Sequence, residues 1–178
     1  MPAMMGHDPA ISTPAERQPA DAQQTEVIFA PVRVRDLWRV RNLQRRSFRR
    51  GLAYSISTLT LLWSLPTVRF LVARHGDDIL GCAIGDRSGG QSRVINLAVD
   101  PDVRRRGIGE QLLHALEAAL PHGDMILMVQ EENAGARRLY EKAGYHNVGV
   151  GRNYYGRGQN GIWMRKYRTR AGGDQMYV

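Results

Sequence analysis

The spacing of hydrophobic residues changes several times along this chain of 178 residues, and each change predicts a different element. Short apolar runs between turn residues are typical of strands, whereas apolar residues three or four positions apart are typical of helices. Strands are predicted at Val27–Val34, Val68–Ala73, Ile79–Ile84, Arg93–Val99, Met125–Val129, Tyr145–Gly151 and Ile162–Tyr167. Helices are predicted from Asp36, as N-cap, to about Phe48, and at residues 55–64, Gly107–Leu120 and Ala134–Ala143.

A glycine- and arginine-rich turn lies between the strand ending at Val99 and the following amphipathic helix. Asp100-Pro101 ends the strand, because proline fixes its own φ and disfavours helix at the residue before it. Gly107 and Gly109 carry no side chain, so the backbone can turn sharply there and approach a ligand closely. The first N–H groups of the helix have no intrahelical partner and lie at the positive end of its dipole. Together with the arginines before Gly107, this pattern predicts a phosphate-binding site.

The residues of this turn resemble the acetyl-CoA motif Gln/Arg-x-x-Gly-x-Gly/Ala of the GNAT acetyltransferase superfamily; they are Arg104, Arg105, Arg106, Gly107, Ile108 and Gly109. Strand, turn, motif and helix follow in the family's order, and the glycine pattern is neither that of a Rossmann fingerprint nor that of a P-loop. The resemblance implies that these residues bind acetyl-CoA. It also implies cofactor contacts, and donors for a developing oxyanion, on the preceding strand at Leu97, Ala98 and Val99. The alternative is a solvated arginine-rich turn.

The segment Asn133–Tyr145, with the sequence NAGARRLYEKAGY, resembles the second motif of the same superfamily, Asn-x-x-Ala-x-x-Leu-Tyr-x-x-x-Gly-Phe/Tyr. Asn133 suits a helix N-cap, and the resemblance implies that it also hydrogen-bonds the pantetheine arm of the cofactor. Gly144 suits the left-handed residue that follows a helix end. For Tyr140, helical spacing alone favours a core position. The resemblance implies instead a cofactor contact and the acid that protonates the leaving thiolate.

A third element narrows the resemblance within the superfamily. Arg152-Asn153-Tyr154-Tyr155 is similar to the Asn-Tyr-Tyr element of protein N-terminal acetyltransferases, including the RimI-like ribosomal-protein-alanine enzymes. The similarity implies that Tyr154 and Tyr155 bind the first residues of the acceptor. Alternatively, they are half-exposed loop aromatics that anchor the sheet. The following loop, residues 156–161, is rich in glycine and could form a mobile edge over the acceptor.

The position of the general base departs from the family pattern. RimI-like enzymes carry a glutamate, and some relatives a histidine, five residues before the motif asparagine, where this chain has Met128. Glu131 is the nearest alternative in sequence, but strand alternation places Gln130 on the Met128 face and turns Glu131 away. An α-amine has a pKa of about 7.7–8.0 against about 10.4 for lysine, so the α-amine is far less dependent on a base. The substitution therefore favours an α-amine, or a small amine of low pKa, over internal lysine.

The resemblance extends over residues 26–168 and implies the GNAT fold, an α+β architecture with a mixed, mostly antiparallel sheet flanked by helices. A disordered lead is expected at residues 1–25 and a frayed tail at 169–178. The implied activity is acetyl-CoA-dependent N-acetylation of a primary amine by direct transfer, most simply the α-amine of a protein or peptide. Two alternatives stay open, namely a small-molecule amine acetyltransferase and a CoA-binding module with impaired catalysis.

The composition indicates an anionic binding partner and a cytoplasmic location. The formal charge is +8 and comes almost entirely from arginine. Arginines crowd the first predicted helix, either as a solvated face or as a contact for RNA or the ribosome; they are Arg33, Arg35, Arg39, Arg41, Arg45, Arg46, Arg49 and Arg50. No apolar run of membrane-spanning length, no secretory signal and no metal-ligand cluster is present, and Cys82 is the single cysteine. We therefore expect a cytoplasmic protein without a membrane span, a disulfide or a metal.

Overall fold

The computed structural model describes residues 26–49, 51–121 and 123–168; the expected lead at 1–25 and tail at 169–178 lie outside them. Within these ranges the elements follow the predicted order β-α-α-β-β-β-α-β-α-β-β. The strands are β1 (Ile28–Pro31), β2 (Val68–His75), β3 (Asp78–Ser88), β4 (Gln91–Val99), β5 (Met125–Gln130), β6 (His146–Gly151) and β7 (Gly161–Lys166). The helices are α1 (Leu37–Ser47), α2 (Ile56–Ser64), α3 (Ile108–Ala119) and α4 (Ala134–Lys142). No helix in the described ranges is both long and apolar enough to cross a membrane.

The strands form one sheet in the order β1-β2-β3-β4-β5-β7-β6. Every neighbouring pair is antiparallel except β4 and β5, which run parallel. Side chains alternate between the two faces of a strand, so each face carries its own apolar core. Helices α1 and α2 cover one face, and α3, with Tyr140 of α4, covers the other. The predicted α+β fold with a mixed, mostly antiparallel sheet is confirmed.

The predicted first strand, Val27–Val34, is too long. Strand β1 ends at Pro31, and a 3₁₀ turn at Val34–Asp36 leads into α1. The Asp36 carboxylate accepts a hydrogen bond from the Arg33 N–H at 2.9 Å, which bends the chain out of the extended conformation. Asp36 occupies the predicted N-cap position of α1, but its side chain makes no cap hydrogen bond to that helix. A local polar contact of this kind overrides strand propensity.

The Asp36 carboxylate also forms a buried ion pair that joins the start of α1 to β2. The guanidinium of Arg74 donates to it at 2.6 Å, and both side chains are almost completely buried. Burial acts to raise the pKa of Asp36, but the hydrogen bond from Arg33 and the charge of Arg74 outweigh it and hold the pKa below its ordinary value. Asp36 is therefore a structural residue and not an acidic group available to a positively charged acceptor.

Helix α3 packs closely on the sheet because two glycines of β3 face it. A Cβ atom at Gly81 would lie 2.7 Å from the side chain of Leu112, and one at Gly85 would lie 2.8 Å from that of Leu120. Both leucines are fully buried, in agreement with the predicted apolar face of this helix. Glycine at these positions sets the distance between helix and sheet, which the hydrophobic pattern alone did not reveal.

Strands β4 and β5 are paired over only part of their length. The parallel ladder consists of Ser92 with Met125, Arg93 with Ile126, and Val94 with Leu127. Directly after it, the register of β4 against β3 shifts, because Gly85 is paired with Val94 and Ile84 with Asn96. Ile95 is thus the extra residue of a β-bulge, and a bulge bends its strand. The rest of β4 and β5 therefore diverge, and a gap opens in the middle of the sheet.

Candidate functional site

A cleft of about 520 Å³ lies at the gap between β4 and β5. Both strands line it, together with the segment after α1, helix α4 and the loop between β6 and β7. Five of the predicted site residues meet in this lining, namely Leu97, Asn133, Tyr140, Tyr154 and Tyr155. Residues more than fifty positions apart in the sequence thus converge on the place where the sheet is split.

The backbone of β4 offers hydrogen-bonding groups to this gap at every second residue. The N–H of Asp100, directly after β4, donates to the carbonyl of Leu80 in β3 at 2.8 Å. The Asp100 N–H therefore points toward β3. By strand alternation the peptide groups of Ala98 do the same, whereas those of Leu97 and Val99 point toward the open edge. The side chain of Ala98 is buried on the α1 face. Of the three predicted strand contacts, Leu97 and Val99 therefore face the gap and Ala98 does not.

The arginine- and glycine-rich loop is fastened to the end of β4 by its first residue. Arg104 donates from Nε to the Val99 carbonyl at 3.2 Å and from Nη2 to the Ser47 carbonyl at 3.1 Å. Arg105 and Gly107 then both have positive φ, 63° and 79°. These left-handed residues turn the chain so that α3 begins directly after Gly107. Arg104 thus holds the loop in place, a role that the motif alone did not distinguish from phosphate binding.

The beginning of α3 suits a phosphate group. The first N–H groups of this helix have no acceptor within it and carry the positive end of the helix dipole. Arg105 and Arg106 are exposed beside it, whereas Ile108 turns its side chain into the core. An anionic diphosphate would meet backbone N–H groups and positive charge here, so the residues present fit the predicted coenzyme.

Gly109 brings the two sequence motifs into contact. A Cβ atom at this glycine would lie 3.5 Å from Leu139 of α4 and 3.5 Å from Val99 of β4, which are ordinary packing distances. Alanine would therefore fit at this position, as the Gly/Ala alternative of the motif allows. The surface between α3, α4 and the end of β4 is consequently built from residues of both motifs.

Helix α4 begins and ends as its motif predicts. The Oδ1 atom of Asn133 accepts the Ala136 N–H at 3.1 Å, which confirms the N-cap. Gly144 has a φ of 88° just after the helix end, which confirms the left-handed position. Asn133 is exposed and lines the cleft, so its side-chain nitrogen is accessible while its oxygen caps the helix.

Tyr140 belongs both to the core and to the cleft. Its side chain is 7% exposed, packs edge-on against Tyr145 with ring centroids 5.7 Å apart, and also lines the cleft. Burial, followed by the nearby Tyr155, raises the pKa of the Tyr140 hydroxyl well above its ordinary value. The hydroxyl therefore keeps its proton throughout the neutral range. Tyr145, by contrast, donates its hydroxyl to Glu117 at 2.9 Å and stabilises the packing of α3 against the segment after α4.

The side chain of Met128 occupies the position at which the family resemblance predicts a base. It lies on the opposite sheet face from Leu127 and packs over the backbone of β6 and β7. A Cβ atom at Gly151 would be 2.9 Å from its Cε atom. Its carbonyl accepts the Tyr155 hydroxyl at 3.0 Å, and burial, with neighbouring Tyr154, raises the pKa of Tyr155 to about 12. The methionine is thus firmly placed but has no group that accepts a proton.

Glu131 does not replace this base. Its carboxylate accepts the side-chain amide of Asn160 at 2.9 Å, and it is exposed outside the cleft lining. Gln130 lines the cleft with Met128, in agreement with the predicted alternation. Among the residues of the described ranges that line the cleft, none carries a carboxylate or an imidazole.

Aromatic side chains surround the cleft opening on the α1 side. Tyr154 is 55% exposed and contacts two other rings edge-on, Tyr155 at 5.0 Å and Trp163 at 6.0 Å between centroids. Tyr54, from the segment between α1 and α2, is half-buried in the same lining. Sequence reasoning missed Tyr54 and Trp163. Strand alternation could have placed Trp163 on the sheet face opposite Ile162 and Met164, whereas nothing local marks Tyr54.

Several arginines predicted to crowd α1 are engaged within the chain. Arg46 forms ion pairs with Asp100 at 2.9 Å and Asp102 at 2.6 Å, and Arg49 forms one with Glu132 at 3.0 Å. Arg39 donates to a backbone carbonyl in the β2–β3 turn, and Arg41 stacks over a tryptophan ring. These exposed contacts connect α1 to the loops on both sides of the gap. They also reduce the positive charge that α1 presents to a nucleic acid.

Comparison with known proteins yields consistent similarities. The family described as Acetyltransferase (GNAT) domain matches residues 66–147. An uncharacterised N-acetyltransferase of Methanocaldococcus jannaschii is 31% identical over 143 residues, 78% of this chain and 90% of that protein. The ribosomal protein bS18 alanine N-acetyltransferase of Salmonella typhimurium is 40% identical over 68 residues, 36% of this chain and 46% of the enzyme, so the match spans about half of that relative. The crystal structure of the Escherichia coli ribosomal-protein-S18-alanine N-acetyltransferase superposes with a TM-score of 0.75 at 24% identity, covering 86% of this chain and 100% of that one.

Proposed function

The chain belongs to the GNAT acetyltransferase family, and from this premise we propose that it transfers acetyl from acetyl-CoA to the α-amine of a peptide or protein. The observation that carries the proposal is the cleft at the gap between β4 and β5. Its lining has the open strand edge at Leu97 and the side chain of Tyr140 on one side, and an aromatic opening whose described residues carry no carboxylate on the other. The first turn of α3 adjoins the coenzyme side, because Gly109 lies next to Val99 and Leu139. The first side suits a coenzyme and the second an amine acceptor.

On the coenzyme side, different residues of the chain would bind the diphosphate and the extended arm of acetyl-CoA. The first amides of α3, with Arg105 and Arg106, would bind the diphosphate. The peptide groups of Leu97 and the N–H of Val99, whose carbonyl already accepts from Arg104 and Ser47, would hydrogen-bond the extended arm along the open edge of β4, as a further strand would. When bound, acetyl-CoA supplies an activated acyl carbon for attack by the amine.

The transfer step requires that a C–N bond forms and a C–S bond breaks, and that a proton leaves the amine and another reaches the sulfur. Peptide N–H groups at the β4 edge would stabilise the negative charge that develops on the acyl oxygen. Tyr140 would donate its proton to the departing sulfur, since its raised pKa keeps the hydroxyl protonated. The amine must arrive deprotonated or lose its proton to water, because Met128 cannot accept it.

The chemistry of the acceptor side favours an α-amine. With a pKa of about 7.7–8.0, roughly a tenth or more of an α-amine is neutral near pH 7, against under about one part in a thousand for lysine. The cleft lining in the described ranges has no carboxylate to hold a polycation. The Salmonella relative is named as an alanine N-acetyltransferase of ribosomal protein bS18, which supports a protein acceptor here. A reducing cytoplasm suits the single, fully buried thiol of Cys82, whose pKa burial raises to about 12.

The proposal is tested by mixing the protein with acetyl-CoA and peptides that begin with alanine, serine or methionine. Thiol release and the mass of the products are followed together. A matched peptide with a blocked N-terminus and a free lysine should not react. Acetylation of small amines but of no peptide would indicate the small-molecule alternative. Tight CoA binding without thiol release from any amine would instead indicate a binding module and contradict the proposed activity.

A further inference from the structure

A completely buried amide side chain joins three elements behind the cleft. Gln44 of α1 is 0% exposed. Its Oε1 atom accepts the backbone N–H of Tyr54 at 3.0 Å, and its Nε2 atom donates to Oδ1 of Asn96 at 3.2 Å. Nε2 also lies 3.8 Å from the sulfur of Cys82. Gln44 therefore connects the segment after α1, which lines the cleft, to the bulged part of β4.

These contacts determine the orientation of the side-chain amides of Gln44 and Asn96. A backbone N–H can only donate, so Tyr54 requires the oxygen of Gln44 on its side. The nitrogen of Gln44 must then face Asn96, and a nitrogen donor requires an oxygen acceptor. Asn96 consequently presents Oδ1 to Gln44, and its Nδ2 group is turned away from this contact. The orientation follows from a donor that cannot be reversed, and not from the choice of an amide rotamer.

The Nδ2 group of Asn96 is available to a ligand. Asn96 is half-buried and lines the cleft on the sheet face covered by α1, the same face as Met128. Within the described ranges its Nδ2 atom has no hydrogen-bond partner, and it is not among the side-chain atoms sealed from solvent. A donor that is held in place and reachable from the cleft can exchange water for an oxygen acceptor of a bound molecule.

Resting on the proposed function, we infer that Asn96 selects the acceptor by donating a hydrogen bond from Nδ2 to an oxygen adjacent to the reactive amine. The amine must reach the gap next to Asn96, so the oxygen belongs to the carbon beside the amine-bearing carbon. An α-amino amide, such as a peptide N-terminus, carries a carbonyl there, whereas an alkyl amine or polyamine does not. Asn96 is thus a specificity-determining residue, and Gln44 is the positioning residue that sets its orientation.

The test compares two amines that share the amine-bearing carbon and one methyl group and differ in the substituent that would carry this oxygen. L-Alaninamide carries a carboxamide where isopropylamine carries a methyl group. Each is titrated by NMR into the CoA-loaded protein, in the wild type and in Asn96→Asp, at a pH where both amines have a known charge. The aspartate variant keeps an oxygen for Gln44 but has no donor for the cleft. We expect it to weaken alaninamide binding about tenfold or more and to leave isopropylamine unchanged or tighter.

A second variant changes the orientation without touching the cleft. In Gln44→Glu, a carboxylate oxygen would face Asn96 and accept from its Nδ2 group, which would turn Oδ1 toward the ligand. We expect the same selective loss of alaninamide binding, with recovery at low pH where the new carboxyl is protonated and can donate again. A purely structural role of Gln44 would not give that pH dependence. If this variant does not fold, Asn96→Asp decides the question alone.

The outcomes separate this inference from the proposed function because binding does not depend on turnover. Selective loss of alaninamide supports the role of Asn96 even if no acetyl group is transferred. Equal loss of both amines, loss of neither, or no preference of the wild type for alaninamide would each overturn it. Absence of acetylation in wild-type protein that does prefer alaninamide would overturn only the proposed activity.

Discussion

The sulfur of Met128 lies against Gly161, in the space that a side chain at position 161 would require. The two residues are on neighbouring strands, with Met128 paired to Trp163 and Gly161 two positions earlier on β7. The absence of a side chain at Gly161 therefore determines where the Met128 side chain rests, and so shapes the acceptor side of the cleft.

Gly161→Ala should displace this methionine. The added methyl group would overlap the Met128 side chain, and overpacking of this kind costs about 1–3 kcal/mol. We expect a lower free energy of unfolding, measured with denaturant, and weaker acceptor binding. Gly149→Ala is the control, since a Cβ atom at that glycine of β6 meets no atom within 4 Å. Combining Gly161→Ala with Met128→Ala should restore most of the stability; a double variant as unstable as the sum of the two would contradict the assigned contact.

Met128→Glu should introduce the missing base. In the wild type, kcat/KM should rise with pH along the ionisation of the acceptor amine, near a pKa of about 8, because no cleft side chain takes the proton. A glutamate at this half-buried position should allow transfer at lower pH and raise kcat/KM at pH 6.5 by about tenfold, which is less than the roughly 10²–10⁴-fold contributed by an evolved general base. Met128→Gln, of similar size but without a base, should follow the wild-type profile. If kcat/KM at pH 6.5 rose in both Met128→Glu and Met128→Gln, the cause would be the polarity of the new side chain and not its action as a base.

Tyr140→Phe should remove the proton donor and keep the packing. The ring can still fill its buried position against Tyr145, so the melting temperature should change little. We expect kcat to fall by about 10²-fold or more, with acetyl-CoA affinity nearly unchanged. Loss of CoA binding equal to the loss of turnover would indicate instead a contribution to cofactor binding.

The raised pKa of Tyr140 also predicts the alkaline part of the pH profile. Burial favours the neutral hydroxyl, so the residue stays protonated well beyond the ordinary tyrosine pKa of about 10. The rate should therefore show no decline up to about pH 10 that depends on Tyr140. A decline near pH 8–9 that is present in the wild type and absent in Tyr140→Phe would contradict this assignment.

Gly107→Ala should weaken CoA binding through the backbone. Its φ of 79° is left-handed, and a Cβ atom there would meet only the end of the Gln111 side chain at 3.5 Å, so strain and not overlap is the expected cost. Such strain is worth about 1 kcal/mol for alanine. Gly76→Ala provides the control, because Gly76 has a φ of 57° in an open turn remote from the cleft. Both variants should lose similar stability, and only Gly107→Ala should lose CoA affinity in calorimetry; equal affinities would argue against this loop as the phosphate site.

Asp36→Asn should destabilise the protein strongly, because it leaves the buried Arg74 without a counter-charge. Breaking such a pair costs about 3–5 kcal/mol, whereas Asp102→Asn, in an exposed ion pair with Arg46, should cost under about 1 kcal/mol. The folded-state pKa of Asp36 is lowered, so its stabilisation is complete above the unfolded pKa of about 3.9 and is lost as pH falls through the folded value. The difference between wild type and Asp36→Asn should thus shrink below about pH 4. A constant difference down to pH 2 would be inconsistent with this linkage.

Local signals in the sequence predicted much of the fold and part of the site. The Asn133 cap and the left-handed Gly144 depend on a few neighbouring residues, so both were predicted correctly. The roles of Ala98 and Arg104 depend on strand register and on contacts to distant carbonyls, which periodicity does not encode. The contacts of Gln44 with Cys82 and Asn96 join residues 38 and 52 positions apart, and no pattern along the chain announces them.

Among the described residues, three pairs join the backbone of β4 to that of β5, so strand pairing holds the two half-sheets together over a short length and the apolar core under α3 supplies the rest of their contact. A molecule that hydrogen-bonds to β4 on one side of the gap and contacts β5 and α4 on the other would act as a noncovalent cross-link. Coenzyme loading should therefore stabilise the entire domain by mass action, and slow amide hydrogen exchange in both half-sheets at once. Because the sheet is divided, the affinity for acetyl-CoA and the stability of the folded domain are thermodynamically coupled.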